Sequence, residues 1–216
     1  QSYMRAGWLT HGKMVIYPIV DNLDGSGLQL VNWVAEIQRP DASMNDWNQG
    51  GRVDDFIDIF ASWRFDWLDV PALIRGADQI LEYPMVDRDP VAQWTFGRVT
   101  LLGDAAHPMY PRGSNGSAQA LIDGRTLADE LARVSHGADA RAALQAYEAQ
   151  RLPVTARIVQ TNRSVPPDFI NIKVDELSGG KPFRHIDDLI SQEELRKISD
   201  NYKQIAGFSL DAVRQA

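Results

Sequence analysis

The sequence predicts an α+β fold, and three observations carry that reading. The first third is β-rich and turn-broken, with Lys13–Val20 and Leu28–Ile37 flanking the turn-forming run Asp21–Gly27. Arg98–Leu131 reads as strand, tight loop and helix. Beyond Asp139 the apolar residues recur at helical spacing. At 216 residues the chain is long enough for one or two domains with a sizeable core. Its 44% hydrophobic content is ordinary for a soluble globular protein. The net charge of -7, without a long basic run, argues against nucleic acid or an anionic membrane as the main partner. The chain has no cysteine, which excludes disulfides, thiolate nucleophiles and thiolate metal sites and is compatible with the cytoplasm. No apolar run is long enough to span a bilayer, and no secretion signal opens the chain. It opens on Gln1 inside a strand-like segment, which suggests a fragment or a processed chain.

Taken in order, Gln1–Leu9 is short and mixed. Lys13–Val20 and Leu28–Ile37 form an antiparallel hairpin, read either as a substrate wall or as plain structural sheet. Arg39–Arg52 is polar and turn-rich. Val53, Phe56, Ile57 and Phe60 predict a helix over Val53–Trp63, and Pro71 suits the first turn of a shorter helix in Trp67–Arg75. Trp47, Trp63 and Trp67 read as core packing rather than an aromatic cage. Gln79–Val86 reads as a strand, and Asp87-Arg88-Asp89-Pro90 turns the chain, with Arg88 a structural ion-paired arginine. Val99–Leu102 is a short apolar run ended by Gly103, predicting a buried strand. From Pro108 to Gly116 two prolines and two glycines shape a loop, after which Ser114 or Asn115 caps a helix with Leu127, Leu131 and Val134 on its stripe. Asp139 caps the next helix, and Pro153 either kinks it or starts a new segment. Val154, Ile158 and Val165 continue the stripe to Pro166-Pro167; Gly179–Pro182 is a loop and Gln192–Ile205 a surface helix.

Several familiar sites are missing. There is no phosphate-binding loop with a following Lys-Ser/Thr, no Gly-x-Gly-x-x-Gly turn, and no nucleophile elbow. His11, His107, His136 and His185 lack metal-ligand spacing. What remains is Gly103-Asp104 with its loop and helix. An Asp at a strand end accepts hydrogen bonds from a polyol, and the glycine before it permits close approach. The helix start can hold a carbonyl or a developing negative charge through its N–H groups and dipole. Asp104 could equally cap Ala105–His107 locally.

Gly103-Asp104-Ala105-Ala106-His107-Pro108, followed by Pro111-x-Gly113-x-Asn115-Gly116 and Asp123, resembles the second flavin-binding motif of the FAD-dependent aromatic hydroxylases. These enzymes have the p-hydroxybenzoate hydroxylase fold. Tyr83–Pro90, Tyr17-Pro18-Ile19 and Leu30–Val34 are similar to the phenazine monooxygenase branch, which acts on 5-methylphenazine-1-carboxylate. The resemblance implies an α/β parent fold, present here in part: 1–90 within the substrate-binding sheet domain, 91–165 the C-terminal part of the FAD-binding domain, and 166–216 a helical tail. It implies that Gly103 and Asp104 meet the ribityl chain of FAD. It places Pro111 and Gly113 along the isoalloxazine, and Asn115, Gly116, Ser117 and Ala118 at its N1–C2=O end, where the reduced ring is anionic. Tyr17, Trp33 and Tyr83 become substrate-facing candidates. No catalytic residue and no metal are implied. Members of the family reduce FAD with NAD(P)H, form a C4a-hydroperoxide with dioxygen and pass one oxygen to an aromatic ring. The partners are thus a small aromatic substrate and dioxygen. The family's N-terminal Gly-x-Gly-x-x-Gly βαβ unit is absent, so the chain is expected to be the C-terminal portion of an enzyme, binding FAD poorly and inactive alone. The alternatives are a non-hydroxylating flavin oxidoreductase of the same fold and a non-catalytic binding module. A halogenase-like relative is disfavoured because no lysine lies in Asp104–Gly116.

Overall fold

The computed structural model describes residues 4–8, 11–38, 49–111, 114–135, 138–164 and 169–206. Trp47, Gly113, His136, Val165 and the Pro166-Pro167 pair lie outside the described residues. The chain forms two compact units, 1–84 and 85–216.

The first unit is a three-stranded antiparallel sheet, β1 (Met4–Trp8), β2 (Gly12–Leu23) and β3 (Leu28–Glu36), in that order. The expected hairpin is present. Its turn uses positive φ at Asn22 and Asp24, two residue types that tolerate the left-handed region, and Asn22 Oδ1 accepts the Gly27 N–H at 2.8 Å. Register pairs Met14 with Ala35, Ile16 with Trp33 and Tyr17 with Asn32. Because side chains alternate, Met14, Ile16, Trp33 and Ala35 share one face, and that face packs on Ile57, Phe60, Val70 and Ile74. Tyr17 and Asn32 lie on the other face.

The predicted helix over Val53–Trp63 is instead two 3-10 turns, Val53–Asp55 and Ile57–Phe60, broken at Phe56 (φ -143°). An i, i+3 spacing serves a 3-10 turn as well as an α-helix, and the β-branched and aromatic residues that satisfy the core are weak α-formers. Two minor pairs, β4 (Gln49–Gly50) with a later strand and β5 (Arg64–Phe65) with β6 (Leu68–Asp69), surround this core. The helix α1 (Val70–Arg75) follows, capped by Asp69 Oδ1 on the Ala72 N–H at 2.8 Å, with Pro71 in its first turn. Trp63 meets Phe60 edge-on at 5.1 Å as core, whereas Trp67 is 67% exposed and stacks on Phe65. The expected strand over Gln79–Val86 shrinks to β7 (Leu81–Glu82), the partner of β4.

The second unit is helical: α2 (Gly116–Ala132), α3 (Arg141–Ser164), α4 (Phe169–Ser178) and α5 (Gln192–Ala206). Asp139 Oδ1 accepts the Arg141 N–H at 3.1 Å, as expected of a cap. Pro153 sits within α3 without ending it. α2 packs on α3, and α5 on α3 and α4. A core of Trp94, Ala106 and Tyr147 is joined by Leu101, Leu127 and Leu152. Val99–Leu102 departs from expectation: it is extended but outside any ladder, with Val99 63% exposed. A strand needs a neighbour, and among the described residues the run has a single bridge, Phe96 to Val99. It is held instead by the Leu101 N–H on Trp94 O (3.2 Å) and the Tyr147 hydroxyl on Leu101 O (3.1 Å).

Candidate functional site

The site is built on the turn that ends the extended run. Gly103 takes φ +59°, and a Cβ there would lie 3.3 Å from the Ala120 methyl on α2. Only glycine meets both demands without strain. Gly103–Ala105 is a single 3-10 turn, and the N–H groups of Ala106 and His107 both donate to the Gly103 carbonyl at 2.9 Å. Asp104 lies in this turn and is exposed. Its carboxylate reaches the start of α2: a Cβ on Gly116 would lie 3.9 Å from Asp104 Oδ1.

Behind the turn lies Asp123, fully buried on α2. Its Oδ2 accepts the Gly103 N–H at 3.1 Å and His107 Nε2 at 2.6 Å; its Oδ1 accepts Arg151 Nε at 2.7 Å. An ionised carboxylate only accepts, so the His107 proton toward it sits on Nε2. Burial alone would raise the Asp123 pKa. Hydrogen bonds from His107, Arg151 and the Gly103 N–H outweigh that and hold the carboxyl below its usual range. Arg151 Nη2 continues to Gln119 Oε1 at 2.6 Å, and Gln119 Nε2 to Asn115 Oδ1 at 3.2 Å. One network therefore ties the turn, the start of α2 and the middle of α3. Trp94 lies against His107 and Tyr147, each at 5.7 Å. Tyr147, beside the Asp123 charge, has its hydroxyl pKa raised by burial and then by that charge.

Asn115 occupies the N-cap position of α2, but its side chain makes no cap bond and serves Gln119 instead. Ser114 is at φ +49°. The Asn115 side chain therefore does not cap the helix as the sequence suggested, and it does not consume the opening turn over Gly116, Ser117 and Ala118. Pro111 begins the connecting loop, and Gly113 lies outside the described residues. Arg88 is not the ion-paired member of its run. Asp87 and Asp89 bind Arg163 at the end of α3, both at 2.6 Å. Of the three substrate candidates, Tyr17 and Tyr83 are exposed, while Trp33 lies on the opposite sheet face from Tyr17, near Phe56 at 6.2 Å. Among the described residues no three His, Asp or Glu converge to hold a metal ion, and no helix is long and apolar enough to cross a membrane.

An exposed carboxylate at a tight turn beside an uncapped helix start fits FAD: the first suits a sugar-alcohol hydroxyl, the second a ring carbonyl. Residues 78–162 match the family model described as an FAD binding domain. An HpxO variant from Klebsiella pneumoniae complexed with FAD superposes with a TM-score of 0.54 at 19% identity. That match covers 99% of this chain and 47% of that one and shows the fold. The chain thus carries part of a fold seen in an FAD-complexed protein, and its segment 78–162 is similar to an FAD binding domain.

Two relatives make the likeness particular. The chain is 47% identical over 156 residues to the phenazine 1,6-dicarboxylic acid hydroxylase PhzS of Lysobacter antibioticus, covering 70% of this chain and 37% of that protein. It is 35% identical over 163 residues to the 3-amino-4-hydroxybenzoate 2-monooxygenase PtmB3 of Streptomyces platensis, covering 75% of this chain and 38% of that protein. The chain thus spans less than half the length of these relatives.

Proposed function

We propose that the protein bearing this chain is an FAD-dependent, NAD(P)H-using monooxygenase that hydroxylates a small aromatic acid. The observation that carries the reading is the Gly103-Asp104 turn, fixed from behind by buried Asp123 and opening beside the start of α2. The two relatives act, by their names, on a phenazine dicarboxylic acid and a hydroxybenzoate, which supports an aromatic carboxylate as substrate. FAD supplies the redox chemistry with dioxygen. In this reading Gly103 shapes the turn that carries Asp104, and Asp104 accepts the hydroxyls of the ribityl chain. Pro111 and Gly113 border the ring system. The N–H groups of Gly116, Ser117 and Ala118, with Asn115 before them, receive the N1–C2=O end, where the helix dipole favours negative charge. Tyr17 and Tyr83 contact the substrate, and Trp33 supports the sheet from its core face. The same reading places the protein in the cytoplasm.

The test uses the native polypeptide containing this chain. Purified with FAD, it should oxidise NAD(P)H faster when phenazine carboxylates or hydroxybenzoates are added, with a hydroxylated product by mass spectrometry. Asp104→Ala should weaken FAD binding roughly tenfold or more, the loss expected of a hydrogen bond to a charged group. Stimulated oxidation without a hydroxylated product would favour the non-hydroxylating relative. Unchanged FAD affinity in Asp104→Ala would remove the role given to that carboxylate.

A further inference from the structure

The helix α5 reaches the loop that follows the flavin motif through two linked hydrogen bonds, one buried and one half-buried. Tyr202, on the face of α5 turned to α3, is 7% exposed. Its hydroxyl donates to Asn162 Oδ1 at 2.9 Å. Asn162, on the last turns of α3 and fully buried, donates from Nδ2 to the Tyr110 carbonyl at 3.2 Å. The two bonds agree on the orientation of the amide: its oxygen faces a hydroxyl and its nitrogen faces a carbonyl. Tyr110 immediately precedes Pro111, whose fixed φ passes any tilt of the Tyr110 peptide directly into the loop. The neighbouring Arg163 holds Asp87 and Asp89, and the Arg88 N–H donates to the Pro108 carbonyl at 3.3 Å. The end of α3 therefore holds the Tyr110 carbonyl directly and, through the 87–89 segment, the Pro108 carbonyl before it.

We propose that Tyr202 is a positioning residue for the flavin: through Asn162 it fixes the Tyr110 carbonyl and so the approach of Pro111 to the ring. This rests on the FAD reading above. Tyr202 touches no cofactor in this scheme; it removes one degree of freedom from the loop that does. α5 thereby becomes part of the cofactor site rather than an ornament on its surface. Leaving Asn162 without its hydroxyl donor would let the amide rotate inside a buried setting, where an unpaired polar group is costly.

The experiment compares wild type with Tyr202→Phe, which keeps the ring packing and removes only the hydroxyl, and with Asn162→Leu, which removes the relay. The native polypeptide is labelled with carbonyl-13C tyrosine and 15N proline, and Tyr110→Phe assigns the Tyr110–Pro111 signal. Tyr202→Phe should move that signal with or without FAD. It should also change the visible circular dichroism of bound flavin and weaken FAD binding about three- to tenfold, the loss of one neutral hydrogen bond. The double variant should be no worse than Asn162→Leu alone, because both act on one path. An unmoved Tyr110 signal, or a moved signal with wild-type flavin dichroism and affinity, overturns the proposal. A lowered melting temperature with both readouts unchanged overturns it too, since that is the mark of packing alone. A wild-type protein that takes up no FAD overturns the cofactor reading instead, and the apo Tyr110 signal still reports whether the relay exists.

Discussion

At the scale of single residues, Asp123 decides the geometry of the motif. It accepts from Gly103, His107 and Arg151 and so ties the turn to α3. Asp123→Asn would leave Arg151, nearly buried, without its counter-charge, a loss of about 3 kcal/mol in urea unfolding. The pH dependence has a definite sign. The folded carboxyl titrates below its unfolded value, so its stabilisation is complete above the unfolded pKa of about 4 and disappears as pH falls through the lower folded value. Wild type should lose that increment below about pH 4, and Asp123→Asn should lack it; parallel curves for the two proteins would contradict the network. Gly103→Ala places a side chain at φ +59° against Ala120 and should lose about 1–2 kcal/mol on backbone strain alone, measured the same way. The motif marked Asp123 in the sequence, but its donors lie 16, 20 and 28 residues away, so Arg151 carried no local signal. Asn162 and Tyr202, 40 residues apart, were invisible for the same reason.

At the scale of elements, legibility followed the range of the forces involved. The β2–β3 hairpin was readable because its turn chemistry and apolar alternation are local. So was α1, which Pro71 announces; its Asp69 cap is a finding of the structure. Asp69→Ala should lower stability, seen as reduced protection of the Ala72 amide. Val53–Trp63 misled because its apolar spacing suits two helix types and the sheet core chose the tighter one. Val99–Leu102 misled because a strand is a property of a pair, and no described segment pairs along its length. The helix start at Gly116 was placed correctly, but for the wrong reason: Asn115 is turned inward to Gln119 instead of capping.

At the scale of the whole molecule, the chain has two compact units, and the Gly103-Asp104 turn lies in the second. That unit presents the exposed Asp104 beside the start of α2, over the buried network of Asp123 and Arg151. The most direct test is amide hydrogen exchange across the native polypeptide, with and without saturating FAD. The account predicts FAD-dependent protection in peptides covering Gly103–His107 and Asn115–Gln119, with the 1–84 unit slower to respond. FAD that binds while leaving those two segments unprotected would contradict it.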